Sequence, residues 1–423
     1  MFIFYDLIFL LISLIFLPLY LFKGKFHQGF SARLGILPKG IHFNRPIWIH
    51  AVSVGEAAVI KGLLLSLKKD FPGKQFVIST VTPTGNHIAK NIARDEDFVT
   101  YLPLDFSFIV KKVFRQVNPQ IMIIAETEIW PNLISALFKQ KVPIVIVNGR
   151  ISDHSFRGYL CLKFLLKPIF NKVTFFCVQS ERDKQRLLEL GVLAEKIRVT
   201  GNMKFDVSLP AANRLAPQEE IKNTLGLDAS GKLLIAASTH PGEEKIVLDA
   251  YKALLREIPG LKLLIAPRHP QRSKEVASQA TQAGFNPVFL SKIAIDEAQN
   301  SQAQVFILDL IGQLNNFFQA ADVVFMGGSL VKKGGHNLLE PAALGKPVIF
   351  GPQMFNFRDI SFLFLNNQAA IMVHSQDELG EQIKYLFAHP DKARQMAQVS
   401  RKLILENTGA TERNRQVIRN LLS

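Results

Sequence analysis

The feature that most constrains this chain is an alternation of short apolar segments with segments of helical periodicity, and the alternation runs twice. The first series contains IWIHAV, QFVISTV, IMIIAE, PIVIVNGR and TFFCVQS; the second contains KLLIAAST, LKLLIAPR, NPVFLS, VFILD, VVFMGGS and PVIFGP. Apolar runs of this length, separated by helical patterns, are typical of a parallel sheet covered by helices on both faces. The sequence therefore predicts an α/β protein with two Rossmann-like, doubly wound domains that face a cleft.

The domain boundaries follow from where the alternation weakens. A chain of 423 residues is too long for one ordinary core. The pattern is lost near DVSLPAANRLAPQEE, which is rich in proline and polar residues. We therefore expect a helix over 1–22, a domain over 23–210, a linker over 211–230 and a domain over 231–423. The last of these closes on a long polar helical pattern from about 376 to 422.

The amino terminus is a 21-residue apolar run, Phe2–Phe22, with a single charge at Asp6. As a helix it would extend about 30 Å, close to the hydrocarbon thickness of a bilayer. No Lys or Arg precedes it and no small-residue cleavage site follows, unlike a signal peptide. Basic residues follow at once (Lys23, Lys25, Arg33 and Lys39), which predicts a membrane anchor with the body of the protein in the cytoplasm. Asp6 and Pro18 leave open the alternative, a helix that lies on the membrane surface or packs within the protein.

The composition limits the classes of partner that the protein can be expected to bind. A hydrophobic content of 48% with 20% charged residues is that of a globular protein. The net charge of +15 predicts attraction to nucleic acid, anionic lipid or a phosphorylated substrate. The charges are dispersed between the predicted strands, so specific nucleic-acid binding is not expected. Cys161 and Cys177 lie in apolar runs, which indicates packing residues in a reducing compartment.

Several predicted strands end in residues that could carry chemistry. Ser53-Val54-Gly55-Glu56 follows IWIHAV, Glu126 and Glu128 follow IMIIA, and Lys204 lies in TGNMKFD. Ligands bind at the carboxyl ends of strands in such sheets. Structural alternatives remain open: each acid could simply complement a helix N-terminus, and Lys204 could be a solvated loop residue.

The second half contains a glycine-rich element, MGGSLVKKGGHNLLEP, from Met326 to Pro341. Its glycines allow backbone N–H groups to approach a ligand, and a helix starting near Asn337 would offer its positive end to a phosphate. Glu340 could accept hydrogen bonds from ribose hydroxyls. The element matches neither a Walker loop nor G-x-G-x-x-G.

These motifs occur in the order and spacing of a known family. HAVSVGE, TPTG, AETEIWPNL, TGNMKFD, STHPGEE, APRHP and GGSLVKKGGHNLLEPAA resemble the 3-deoxy-D-manno-octulosonic acid (Kdo) transferases. The resemblance implies a GT-B fold with an N-terminal membrane-anchor helix, an acceptor domain for the lipid A precursor, and a second domain for the donor CMP-Kdo. It also implies inverting transfer without metal or cofactor, at the cytoplasmic face of a bacterial inner membrane with anionic lipids.

The resemblance assigns residues as well. The general base corresponds to Glu56, and the residues that support the transition state correspond to Glu126 and Lys204. Glu128 and Trp130 are interpreted as helix start and packing. Positions that correspond to contacts with CMP are Pro267, Arg268, Ile311, Gly312, Gln313, Asn337, Leu338, Leu339 and Glu340.

This chain departs from the family at two of those positions. Gln313 stands where an acid is frequent, which weakens that contact, and Leu338 stands where a proline is frequent. No DxD pair stands where a metal site would need it, and His240, His269 and His336 are interpreted as residues of separate loops.

Two other functions are consistent with parts of the sequence. One is a different membrane-associated GT-B enzyme that uses another nucleotide sugar. The other is a basic protein that binds nucleic acid at the membrane, which would require clustered basic residues with interleaved aromatic residues. No such cluster is found in the sequence.

Overall fold

The computed structural model describes residues 2–22, 29–38, 40–207, 216–228, 231–295 and 303–422. The chain forms two compact units, Met1–Val207 with Asn407–Ser423, and Ser208–Glu406. Each unit contains one parallel seven-stranded sheet, which confirms the prediction of two Rossmann-like α/β domains.

The first unit alternates strands and helices along the chain. Its elements are α1 (Phe2–Phe22), α2 (Phe30–Arg33), β1 (Ile47–His50), α3 (Val54–Asp70), β2 (Phe76–Thr80), α4 (Pro83–Ile92), β3 (Phe98–Tyr101), α5 (Ser107–Val117), β4 (Ile121–Ala125), α6 (Pro131–Lys139), β5 (Ile144–Gly149), α7 (Asp153–Cys161), α8 (Lys163–Phe170), β6 (Phe175–Val178), α9 (Glu181–Glu189), β7 (Ile197–Val199) and α10 (Lys204–Val207). The edge strand β3 did not stand out in the sequence. It has four residues and is only partly buried, so its pattern is weak.

The strand order of the first sheet is β3-β2-β1-β4-β5-β6-β7. Helices cover both faces, and successive residues of one strand bury themselves in different cores: Ile47 and Ile49 on one face, Trp48 on the other. This two-sided burial explains why the strands read as continuous apolar runs. The order reverses between β1 and β4, where a crevice for ligands is expected at the carboxyl ends of the strands.

Helix α1 forms where the sequence predicts a helix, but it packs against the first unit. Asp6 accepts hydrogen bonds from the backbone N–H of Ser107 (3.1 Å), from its hydroxyl, and from Asn132 Nδ2 (2.7 Å). The ring of Phe9 lies edge-on to Phe106 with 4.9 Å between centroids. No helix within the described residues is both long and apolar enough to cross a membrane, so the spanning anchor is not supported.

The second unit follows the same plan. Its elements are α11 (Gln218–Thr224), β8 (Leu233–Thr239), α12 (Glu243–Leu254), β9 (Lys262–Pro267), α13 (Ser273–Gln282), β10 (Pro287–Phe289), β11 (Val305–Ile307), α14 (Leu314–Phe318), β12 (Val323–Met326), α15 (Leu339–Ala343), β13 (Val348–Phe350), α16 (Arg358–Asn366), β14 (Ile371–Met372), α17 (Gln376–Ala388) and α18 (Pro390–Asn407). The strand order is β10-β11-β9-β8-β12-β13-β14, so this sheet reverses between β8 and β12.

Two boundaries differ from the sequence prediction. Part of the expected linker is structured: in α11 and just after it, Ile221, Leu225 and Leu227 are buried. Residues 211–215 and 229–230 of that linker lie outside the described residues. The final helix α19 (Ala410–Leu422), which the sequence analysis placed in the second domain, belongs to the first unit.

The contacts of α19 explain its placement. Ala410 and Ile418 are fully buried in the core beside α3. Arg415 forms a bidentate ion pair with Asp70, and Arg413 Nε donates to the carbonyl of Thr200 at 2.7 Å. An amphipathic helix satisfies its pattern on any apolar surface, so its sequence could not specify which unit it covers.

Candidate active site

Glu56 lies at the start of α3, directly after the strand β1 that borders the reversal of the first sheet. Ser53 is the N-cap residue of α3, and its hydroxyl accepts the Glu56 N–H. The Glu56 carboxylate in turn accepts hydrogen bonds from the Val52 N–H (2.8 Å) and the Ser53 hydroxyl (3.0 Å). The helix start therefore fixes the carboxylate at the carboxyl edge of the sheet.

Burial raises the pKa of Glu56 to about 7, and the neighbouring charges of Glu126 and Glu128 contribute in the same direction. The hydrogen bonds from Val52 and Ser53 lower it by a smaller amount. The helix-start interpretation remains compatible with the contact to Ser53, but it gives no reason for a cluster of three acids. A carboxylate with a pKa near 7 can exchange a proton at physiological pH, as a general base must.

Glu126 follows β4 and has φ +56°, in the left-handed region that non-glycine residues rarely adopt. Its N–H donates to the Val147 carbonyl at 2.9 Å, which fixes the backbone in this conformation. Such strain is concentrated at functional sites. The mutual charge effects of Glu56, Glu126 and Glu128 show that the structure brings these three acids together.

The acids of AETE do not start a helix. Helix α6 begins at Pro131, and its first N–H groups are accepted by Asp105: Asn132 N at 3.0 Å and Leu133 N at 2.8 Å. Trp130 is the N-cap residue of α6 and Asp105 supplies the acceptor oxygens, so the interpretation of Glu128 as helix start was wrong. Burial raises the pKa of Glu128, which is consistent with a role at the crevice. Trp130 packs against the core, as expected.

Lys204 is the first residue of α10, and its backbone N–H donates to Asn202 Oδ1 at 2.9 Å. The preceding residue, Met203, donates its N–H to the Asn148 side chain at 2.9 Å. Helix α10 packs on α3, the helix that carries Glu56. These contacts place the Lys204 backbone at the same edge of the sheet as the acids.

In the second unit, the glycine-rich loop after β12 is held by Glu243, a fully buried residue that the sequence analysis did not single out. Its carboxylate accepts the N–H groups of Gly328 (2.7 Å), Ser329 (3.0 Å) and Leu330 (2.9 Å). It also accepts the His240 N–H at 3.0 Å, so one carboxylate fixes the loops after β8 and β12. In the sequence, Glu243 is recognisable as the first acid of STHPGEE, at the start of a helical pattern.

Position 327 requires a glycine because the backbone of Ser238 lies very close to it. A Cβ atom at Gly327 would lie 2.6 Å from the Ser238 carbonyl oxygen, so a side chain cannot fit. Ser238 itself has φ +55°, at an irregularity in the pairing of β8 with β9. The end of β8 and the start of the loop after β12 therefore contact each other closely where the second sheet reverses.

Arg268 directly follows β9, and its exposed side chain is at the carboxyl edge of the second sheet. Burial raises the pKa of Glu340, and the Arg268 charge offsets part of this increase. Glu340 Oε1 accepts a hydrogen bond from Asn337 Nδ2 at 3.0 Å. The structure thus brings together Arg268, Asn337 and Glu340, three of the positions assigned to CMP.

The remaining positions assigned to CMP differ in exposure. Pro267 ends β9 and is buried, as are Leu338 and Leu339, so only their backbone can meet a ligand. Ile311, Gly312 and Gln313 are exposed in the loop after β11, at the same edge of the sheet. Gln313 Oε1 accepts from Asn316 Nδ2 at 2.7 Å.

His240, His269 and His336 belong to three separate loops, as interpreted from the sequence, and the fold brings these loops together at this edge. His240 Nε2 and His336 Nε2 are 2.9 Å apart. The ring of His269 lies edge-on to His240, with 6.0 Å between centroids. The two cysteines also differ: Cys177 is buried as expected, whereas Cys161 is exposed.

Comparison with known proteins identifies the family. Residues 28–207 match the family model described as 3-deoxy-D-manno-octulosonic-acid transferase (kdotransferase), and residues 243–403 match that of glycosyl transferases group 1. A 3-deoxy-D-manno-octulosonic acid transferase of Haemophilus influenzae is 36% identical over 87% of this chain and 85% of its own length. The chain belongs to the Kdo transferase family.

Other comparisons agree. A Kdo transferase of Chlamydophila psittaci is 32% identical over 92% of this chain and 89% of its own length. The fold is similar to that of UDP-GlcNAc 2-epimerase from Neisseria meningitidis, with a TM-score of 0.60 over 89% of this chain and 99% of that one. At 14% identity, this similarity concerns the fold alone. As a member of the Kdo transferase family, the chain is a glycosyltransferase of GT-B type.

Proposed function

We propose that this protein transfers Kdo from CMP-Kdo to a hydroxyl of the lipid A precursor, with inversion at the anomeric carbon. The observation that carries the proposal is the acid cluster at the reversal of the first sheet, in which the pKa of Glu56 is raised to about 7. Family membership supports the proposed classes of donor and acceptor. The geometry of the residues supports the roles proposed for them.

Glu56 is the proposed general base. It takes the proton of the acceptor hydroxyl as that oxygen attacks the anomeric carbon of Kdo. Such assistance contributes roughly 10² to 10⁴ in rate. The hydrogen bonds from Val52 and Ser53 hold the carboxylate in one orientation, so little reorganisation is needed when the acceptor binds.

Glu126 and Lys204 are proposed to stabilise the transition state. A carboxylate favours the positive charge that develops on the sugar ring, and an ammonium favours the departing phosphate. The left-handed backbone of Glu126 supports this role, since backbone strain is concentrated at functional sites.

The donor is proposed to bind at the carboxyl edge of the second sheet. Arg268 would meet the phosphate, because a guanidinium forms strong charge-assisted hydrogen bonds with phosphate oxygens. Glu340, oriented by Asn337, would accept from the ribose hydroxyls. The backbone of Pro267, Leu338 and Leu339 and the exposed loop Ile311–Gln313 complete the proposed CMP site. No metal ion or cofactor is part of this proposal.

The membrane contact is proposed to involve the outer face of α1, with the helix docked on the body of the protein and lying at the cytoplasmic surface of the inner membrane. Among the described side chains of α1, Asp6 and Phe9 contact neighbouring elements of the first unit, whereas seven apolar side chains are exposed. The exposed residues of α1 are Leu7, Ile8, Leu10, Leu11, Ile12, Leu14 and Ile15.

A groove of about 630 Å³ lies next to the place where Asp6 of α1 binds the body of the protein. Ser107 and Asn132, which donate hydrogen bonds to Asp6, also line this groove. The groove is basic, with Lys111, Arg115 and Lys139 in its lining. Exposed apolar residues beside basic residues suit an anionic membrane surface.

The proposal is tested by mass spectrometry of lipid products. Detergent-solubilised protein is incubated with a tetra-acylated, bisphosphorylated lipid A precursor and freshly generated CMP-Kdo in the presence of EDTA. A mass increase of one or more Kdo units is expected. Absence of product from folded protein and intact donor would refute the proposal, and turnover of a UDP-sugar would support a different GT-B enzyme.

A further inference from the structure

The histidine pair formed by His240 and His336 lies where the second sheet reverses. His240 follows β8, and His336 is in the glycine-rich loop that follows the neighbouring strand β12. In open α/β sheets, this reversal is where ligands bind. His240 and His336 are 96 positions apart in the sequence, so the fold is what brings them together.

The pair is held rigidly. The two Nε2 atoms are 2.9 Å apart, and the rings are stacked with an angle of 6° between their planes. The Glu243 carboxylate fixes the backbone of His240 and of Gly328. Gly328 has φ +68°, and a Cβ atom there would lie 2.9 Å from the His336 ring. The glycine is therefore required for the loop to place His336 against His240.

The hydrogen bond between the rings defines their protonation. Two neutral imidazoles can share one such bond only if one nitrogen donates and the other accepts. Burial, together with a smaller effect of the Arg268 charge, lowers the pKa of His336 to about 4. Burial also lowers the pKa of His240. Both rings are therefore neutral at pH 7 without a ligand.

Charged and titratable groups of both signs face the pair. From the loop after β9 come Arg268 and His269, from the glycine-rich loop comes Lys333, and from the start of α12 come the acids Glu243 and Glu244. Arg272 pairs with Glu244 at 2.6 Å. A phosphate bound among these cations would offset their effect and favour a proton on the pair.

Resting on the proposed function, we propose that His240 and His336 act as one general acid: the pair hydrogen-bonds the donor phosphate and protonates it as CMP leaves. The bond between the anomeric carbon and the phosphate oxygen breaks, and both electrons stay on that oxygen. The acceptor oxygen forms the new bond to the anomeric carbon, and its proton goes to Glu56. The proton of the pair goes to the phosphate, and water later restores both groups.

The first test measures proton uptake when CMP binds to the full chain at pH 7. Calorimetry in two buffers of different ionisation enthalpy gives the number of protons taken up. The wild type is expected to take up a substantial fraction of one proton with CMP and none with cytidine, which lacks the phosphate. His336→Gln should reduce the uptake strongly, and the exposed control His374→Gln should not.

The second test measures transfer against pH. His336→Gln and His240→Gln should each lower kcat by about 10² to 10⁴, change KM for the donor less, and remove the loss of activity at alkaline pH. Unchanged proton uptake or an unchanged profile in these variants would overturn the inference. Absence of transfer in the wild type would instead refute the proposed function, so the two failures are distinguishable.

Discussion

At the scale of single residues, the structure separates two explanations for Glu56. Its contact with Ser53 belongs to a helix start, whereas its pKa near 7 belongs to a proton-transfer group. The two roles respond differently to substitution. Glutamine keeps the shape and one acceptor oxygen but cannot take a proton.

We expect Glu56→Gln to lower kcat by at least about 10²-fold while CMP still binds. In the wild type, kcat/KM should fall as the pH drops below about 7, because Glu56 must be ionised to act as a base. Ser53→Ala should move this limb to higher pH, since it removes a hydrogen bond that favours the carboxylate. A pH profile of both variants measures this; unchanged activity in Glu56→Gln would remove the base assignment.

The same pKa has a consequence for stability. The folded-state pKa of Glu56, about 7, lies above the ordinary value of 4.5, so folding favours the protonated form. This contribution is fully present below about pH 4.5 and is lost as the pH rises through 7. Glu56→Gln should therefore be less destabilising at pH 8 than at pH 5.

Glu126 offers a second test at this scale, because its backbone strain can be relieved. Glu126→Asn should leave the free energy of unfolding unchanged or raise it by up to about 1 kcal/mol, since Asn tolerates the left-handed region. At the same time kcat should fall at least about tenfold. Urea denaturation and a transfer assay measure the two effects.

Lys141 is the matched control, because it also has a positive φ (+57°) and is exposed in a loop. Lys141→Asn should give a similar stability change without loss of activity. A clear destabilisation of Glu126→Asn with full activity would show that Glu126 serves the fold and not the reaction.

At the scale of elements, the sequence predicted the central strands because they are buried on both faces and therefore apolar throughout. It predicted Glu56, Glu126 and Arg268 at strand ends, where the structure places them. It missed Glu243, because an acid at the start of a helix is indistinguishable from a dipole partner until its four N–H donors are seen. The histidine pair was missed for a similar reason: no local pattern links loops that are far apart in sequence.

Helix α1 gives a prediction at this scale. Asp6→Ala removes the acceptor for the N–H and hydroxyl of Ser107 at the start of α5. It also removes one of the two acceptors of Asn132 Nδ2, which keeps its hydrogen bond to the Asp105 carbonyl. The free energy of unfolding of the first unit should fall by about 1–3 kcal/mol. Limited proteolysis should also cleave α1 more readily.

Asp6→Asn is the matched control, because it keeps one acceptor oxygen and should be less destabilising. The measurement is chemical denaturation of the full chain in detergent micelles. If α1 crossed the bilayer instead of docking on the body, neither substitution would alter the stability of the first unit.

At the scale of the whole molecule, the two units do not simply follow one another along the chain. The first unit is discontinuous, since α19 returns to it after the second unit is complete. Ile418 and Ala410 fill the core beside α3, and Asp70 of α3 binds Arg415. The first unit therefore lacks part of its core until the last residues of the chain are present.

This organisation predicts which fragments fold. A fragment of residues 1–207 should be unstable by itself and should gain stability when a peptide of residues 407–423 is added, because the peptide covers the face of α3. A fragment of residues 208–406 should unfold cooperatively in the absence of both of these pieces.

In the full chain, Ile418→Ala should lower the stability of the first unit by about 2–5 kcal/mol through the cavity that it creates. Calorimetry resolves the two transitions, and the exposed, same-helix Arg419→Ala serves as control. If truncation at residue 406 left both transitions unchanged, the assignment of α19 to the first unit would be refuted.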